Sequence, residues 1–264
     1  MADTLALLHT GHLLIPVFAE LGREFLPGMN VVHMLDESLL KNTIAAGRLE
    51  KVTLRRVVNL VGLAREAGAD AVLVTCSSIG PAVEVARQLF DFPVLRVDEA
   101  MAAEACRRGM RIGVLATLRS TLEPTVDLLR DTAAKMGRGN EIVAGLCEGA
   151  YDAVVAGDTA THDRLLSAKL AEVAGLVDVI VLAQASMAGA LKRMPAVGPR
   201  VPILTSPELA IRQARDILSA LNAGNARTAA EEHPRALKRH NIGALAHPES
   251  GADATVGIEK EGSS

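Results

Sequence analysis

The chain has 264 residues, 49% of them apolar, and a formal net charge of −3, which supplies core for two small lobes and leaves no basic footprint for nucleic acid. Trp is absent, Tyr151 is the single tyrosine and Phe numbers four, so platforms on which bases or sugar rings stack are scarce. A small-molecule protein is expected, with Leu, Val and Met left to hold any large aromatic group.

Met1-Ala2-Asp3-Thr4 lacks a basic leader region, and the apolar stretch after it is broken by His9, Gly11 and His12. Neither a signal peptide nor a membrane span is expected, and the chain is placed in the cytoplasm with no membrane partner. A first strand over 4–9 ends at His9 and Thr10. A histidine beside apolar strands reads either as a satisfied structural residue or as an acid or base, since imidazole ordinarily titrates near neutrality. A second strand falls near 30–34 and a third over 71–75, where Ala71-Val72-Leu73-Val74-Thr75 is bounded by Ser, Gly and Pro. Cys76 ends that run, and Pro81 suits the first turn of the next helix. At such a junction backbone N–H groups and the helix dipole favour a thiolate, although a lone Cys also serves as a small buried filler. Ser77 and Ser78 are placed to cap the following helix and to touch a ligand.

Further strands are expected near 93–96, 111–116, 140–145, 178–183 and 201–204, with helices between them. Cys106 falls within a helix and reads as packing, and Glu148, after Cys147, reads as the start of a helix. Three widely spaced cysteines fit reduced thiols better than a disulfide framework or metal cluster. From Asn222 the periodicity fails, so 225–264 is read as a disordered tail; His233, His240 and His247 recur there without a frame for a metal site.

The chain also repeats itself. A shift of 108 residues lays Asp70 on Asp178, Val74 on Leu182, Cys76 on Gln184 and Ser78 on Ser186. Each half then reads as four strands alternating with helices, which predicts an α/β fold of two pseudo-symmetric lobes with mainly parallel four-stranded sheets. The expected division is 1–98 plus 207–222 for the first lobe and 99–206 for the second. Ligands bind outside the carboxyl ends of such strands, so Cys76 and Gln184 would face each other across the cleft.

Three segments carry a family resemblance: Val74-Thr75-Cys76-Ser77-Ser78, its repeat mate Val181-Leu182-Ala183-Gln184-Ala185-Ser186-Met187, and Leu115-Ala116-Thr117-Leu118-Arg119-Ser120-Thr121. Together they resemble the aspartate/glutamate/hydantoin racemase superfamily, from about residue 4 to about residue 220. The resemblance implies that Cys76 is the first of two thiols that move a proton on opposite faces of a substrate carbon. Gln184 stands where the second is expected, and a carboxamide neither gives nor takes a proton usefully near neutrality. The resemblance also implies a carboxylate held by hydroxyls and turn amides, with Thr10, Thr75, Ser77, Ser78, Thr117, Ser120, Thr121, Ala185 and Ser186 as the local candidates. Arg119 reads as a solvated charge or as a bidentate clamp on a second carboxylate.

No dinucleotide fingerprint, phosphate loop or nucleophile elbow occurs, and the position six after Cys76, where a phosphatase-like thiol needs Arg, is Ala82. No cofactor or metal is expected. The expected activity is proton transfer by Cys76 at the carbon alpha to a carboxylate, with His9 or Gln184 opposite it. Cofactor-free decarboxylation of a diacid, as in the single-cysteine arylmalonate decarboxylase-type relatives, and a non-enzymatic small-acid sensor remain the alternatives. A homo-oligomer is compatible with all three.

Overall fold

The computed structural model describes residues 3–193 and 201–240. Among the described residues eight strands alternate with ten helices: β1 (Thr4–His9), α1 (Leu14–Phe25), β2 (Asn30–Leu35), α2 (Glu37–Ala46), α3 (Lys51–Glu66), β3 (Ala71–Val74), α4 (Pro81–Leu89), β4 (Val94–Arg96) and α5 (Glu99–Arg108) come first. They are followed by β5 (Arg111–Ala116), α6 (Arg119–Lys135), β6 (Glu141–Leu146), α7 (Ala150–Val155), α8 (Thr159–Ala174), β7 (Val179–Leu182), α9 (Ala188–Arg193), β8 (Ile203–Thr205) and α10 (Ser206–His240). The strands form two sheets of the same plan, β2-β1-β3-β4 and β6-β5-β7-β8, and every pairing is parallel. Parallel neighbours require crossovers, and the helices supply them.

Sequence composition explains which strands are central. β3 and β7 are buried along their whole length, whereas the edge strands β2 and β6 carry exposed positions. On the first sheet Ala6, Leu8, Val72 and Val74 face α2–α4 through Leu39, Val57, Val61 and Val83, while Leu5, Leu7, Leu73 and Leu95 face Phe18 of α1 and Ala210, Ile211 and Leu218 of α10. This is the period-two alternation of a strand covered on both faces. The second sheet divides likewise, with Ile112, Val114 and Val181 packed on α5 and α6, and Leu115, Ile180 and Leu182 packed on α8 and α9.

The internal repeat extends to single hydrogen bonds. Asp70 accepts from Thr4 N at 2.9 Å at the foot of β1, and Asp178 accepts from Met110 N and Arg111 N at 2.8 Å at the foot of β5. A 3₁₀ turn follows β3 at Ser77–Ile79, and another follows β7 at Ala185–Met187.

The described chain forms a compact unit through Ala220, and a second unit begins at Leu221, within which α10 runs to His240. Helix therefore continues past Asn222–Asn225, where the sequence placed its end. Asn and Gly cost at most about 1 kcal/mol each against Ala in a helix, and Ala226, Ala229 and Ala230 favour continuation. Residues 241–264 of the expected tail, including His247, lie outside the described residues, as do the side chains of His233 and His240.

Candidate active site

A cleft of about 380 Å³ opens at the carboxyl ends of the strands, within the size range of small-molecule sites. Cys76 and Gln184 both line it. Each follows a central strand in extended conformation (φ −128°, ψ 117° and φ −108°, ψ 133°) and opens a 3₁₀ turn. The turn after Cys76 is held from behind. Gly80 packs against the Arg96 guanidinium, 2.7 Å from where a Cβ would stand, and that guanidinium is fixed by the buried Asp98 carboxylate with two contacts of 3.1 Å.

Burial pushes the Cys76 thiol up, and hydrogen bonding from the Thr10 side chain, from Ser78 and Ile79 N–H and from the Ser78 hydroxyl opposes it. The balance of these influences is upward, so the resting sulfur is a thiol. The other cysteines differ. Cys106 is buried against Leu129 O, and Cys147 is buried with its thiol pushed up to about 11.

Ser77 and Ser78 line the cleft but cap no helix, contrary to their expected capping role. Ser77 Oγ donates to Ala183 O at 2.9 Å, and Ser78 Oγ meets Thr121 Oγ1 at 2.7 Å, so both hydroxyls tie the first sheet's turn to the second half. Gln184 is anchored through its carboxamide oxygen, which accepts from Thr117 N at 2.6 Å and Thr117 Oγ1 at 2.9 Å. Its NH₂ group remains to donate. Thr10, Thr75, Thr117, Thr121, Ala185 and Ser186 all line the cleft as well.

His9, Arg119 and Ser120 do not. His9 lies on the same strand face as Leu5 and Leu7, fully buried beside Phe18 and stacked on His33. Its Nε2 meets His33 Nδ1 and its Nδ1 meets Thr75 Oγ1, both at 2.9 Å. Burial, with the neighbouring His33, lowers its pKa to about 4. Both ring nitrogens are committed and the ring stands outside the cleft lining, which matches the structural reading of this histidine. Arg119, the first residue of α6, is 70% exposed and lies 3.7 Å from Glu123, a solvated charge rather than a carboxylate clamp. Ser120 is buried outside the cleft lining.

Five lining residues with polar or ionisable side chains are absent from the sequence reading of the site: His12, Glu37, Lys41, Tyr151 and His162. His12 Nδ1 and Glu37 Oε1 are 2.7 Å apart at the rim, with Lys41 Nζ 3.9 Å from the same carboxylate; the His12 hydrogen bond holds Glu37 below the usual carboxylate range. Tyr151 enters from α7, which starts after Gly149 in the left-handed region (φ 74°). Burial and then the charge of Cys76 raise the Tyr151 phenol, which places the two groups within electrostatic reach and keeps the phenol protonated. His162, in the first turn of α8, is also buried against the cleft. An i, i+4 spacing of Glu37 and Lys41 was the available signal at the rim; nothing in the sequence directs Tyr151 or His162 to the same cavity.

Among the described residues, no group of His, Cys, Asp and Glu is arranged to hold a metal ion, and no helix is long and apolar enough to cross a membrane.

Two parallel α/β lobes of equal topology, with Cys76 and Gln184 at matching turns of one cleft, define a racemase-type architecture. Residues 18–214 match the Asp/Glu/hydantoin racemase family, and the chain belongs to it. It is 29% identical over 167 residues to an uncharacterized protein of Schizosaccharomyces pombe, covering 61% of this chain and 67% of that one. Among solved structures it is similar to glutamate racemase from Francisella tularensis in complex with D-glutamate, with a TM-score of 0.68, 14% identity, and 83% and 82% of the two chains covered. It is also similar to a putative Asp/Glu racemase from Yersinia pestis, with a TM-score of 0.63, 16% identity, and 81% and 98% covered.

Proposed function

We propose that this protein is a cofactor-independent racemase-type enzyme in which Cys76 transfers a proton at the carbon alpha to a carboxylate of a small amino acid or related acid. The observation that carries the reading is the placement of Cys76 in the cleft at the end of a central strand, matched at the equivalent turn of the other sheet by Gln184. The carboxylate would be held by the hydroxyl of Ser186 and by the Gln184 NH₂ group. These donors would also stabilise the enediolate formed when the alpha proton leaves, each well-placed donor contributing about 3 kcal/mol.

A second reading, decarboxylation of an activated diacid with protonation on one face, is favoured by a single observation, the carboxamide of Gln184 where a second thiol would stand. The two readings separate by proton NMR in deuterated water across amino acids, hydantoins, hydroxy acids and malonates, since alpha exchange marks the first and loss of carbon dioxide the second. Gln184→Cys should add racemisation to a decarboxylase, because it places a thiol on the unserved face. Alkylation of the native protein with peptide mapping tests the thiol itself: fast modification at Cys76 that bound acid suppresses supports the enzyme, and an inert Cys76 with retained acid binding identifies a sensor.

A further inference from the structure

His162 lines the cleft, and Asp163, outside the lining, pairs with its ring. His162 Nδ1 lies 2.9 Å from Asp163 Oδ1, and Asp163 in turn receives Arg193 Nε at 2.7 Å and Arg193 Nη2 at 2.8 Å. The Arg193 fork holds the Asp163 carboxyl below its usual range, so its oxygens accept and His162 Nδ1 must be the donor. Imidazole has two nitrogens. With the proton fixed on Nδ1, Nε2 carries the lone pair, on a ring that lines the cleft.

Local sequence explains the placement. Asp158 caps α8 by accepting from Thr161 N at 2.9 Å, which sets the helix start. His162, Leu166 and Leu170 then follow at i, i+4 and i+8 along its buried face. Asp163, one residue on, turns toward α9 and meets Arg193 at that helix's end. α9 begins immediately after the turn opened by Gln184. The pair therefore belongs to the second half of the molecule, whereas the β3 turn that carries Cys76 belongs to the first, and both His162 and Cys76 line the cleft.

Resting on the assignment of Cys76 to proton transfer, we infer that His162 is the second proton carrier, serving the face of the substrate carbon opposite Cys76, with Asp163 and Arg193 as positioning residues. In one direction neutral Nε2 takes the alpha proton, forming N–H as C–H breaks, and the bond's electron pair passes into the carboxylate to give an enediolate. The Cys76 thiol then delivers its proton to the other face, leaving thiolate and imidazolium. The reverse direction starts from that pair and restores thiol and neutral imidazole, so no further reactant is needed.

The test is alpha-proton exchange in deuterated water, followed by proton NMR, for each enantiomer of alanine, norvaline, leucine, aspartate and glutamate. Wild type should exchange both enantiomers of an accepted acid. His162→Gln should slow one enantiomer at least about 100-fold and leave the other within about threefold, and Cys76→Ser should show the opposite selectivity. Asp163→Asn keeps an imidazole in the cleft and should slow the His162-dependent enantiomer about tenfold or more, which a loss of general stability would not do selectively. Exchange of only one enantiomer by wild type overturns the inference, as does equal exchange in His162→Gln. Selective loss in Tyr151→Phe in place of His162→Gln overturns it and transfers the role to the phenol. These outcomes leave the Cys76 assignment standing; exchange of both enantiomers that survives Cys76→Ser removes that assignment instead.

Discussion

Replacing His9 by Gln should flatten the acid side of the stability curve while leaving proton-exchange chemistry in place. Burial and His33 lower the His9 pKa from 6.5 to about 4, so the folded state prefers the neutral ring. Between those two values the unfolded chain binds the proton and the folded chain does not; stability therefore falls as pH drops from 6.5 toward 4 and is retained above 6.5. At about 1.4 kcal/mol per pKa unit, the shift corresponds to about 3 kcal/mol between neutral pH and pH 4. His33 is also lowered by burial, and its contribution runs in the same direction. Urea unfolding of wild type and His9→Gln at about pH 7 and about pH 4 isolates the His9 share, because groups common to both proteins cancel in the difference. The variant will lose some stability at neutral pH, since Thr75 surrenders a buried and His33 a part-buried hydrogen bond, each worth about 1 kcal/mol. Its further loss on acidification should be smaller than wild type's by about 3 kcal/mol, the amount worked above. Equal acid losses in the two proteins would refute the assignment of a buried neutral ring, and abolished exchange on one face in a folded His9→Gln would return His9 to the chemistry.

Two further changes probe the scaffold. Gly80→Ala places a Cβ 2.7 Å from an Arg96 guanidinium pinned by Asp98, so it should cost about 1–3 kcal/mol, read as a Tm lowered by several degrees; an unchanged Tm would show that the guanidinium yields freely. A chain ending at Gly224 should keep its Tm within about two degrees, because the compact unit closes at Ala220 and Leu221 is already exposed; a large drop would assign the later residues a packed role.

The fold was legible because its signals are local and doubled. Ala71–Val74 and Val179–Leu182 are apolar runs too short for helices, and their exact correspondence under the repeat carried Cys76 and Gln184 to equivalent turns. The site was legible only where it sits on those turns. For His9 the sequence leaves a structural and a chemical role open, and counting by twos from Leu5 and Leu7 puts its side chain on the face under α1, which favours the structural one. Arg119 and Thr121 show the same limit at a helix start: two residues separate a solvated guanidinium from a buried cleft hydroxyl. His162 shares the buried i, i+4, i+8 face of α8 with Leu166 and Leu170, but which cavity that face and the Tyr151 face of α7 meet is set by tertiary packing rather than by spacing within either helix.

The central claim is that the Cys76 sulfur moves the alpha proton. It is tested most directly by measuring alpha-deuterium incorporation with an accepted acid in wild type, Cys76→Ala and Cys106→Ser. The account predicts that Cys76→Ala folds and binds but loses more than about 99% of the exchange served by the thiol face, while Cys106→Ser matches wild type. Retention of more than about a tenth of that exchange in a folded Cys76→Ala would contradict it.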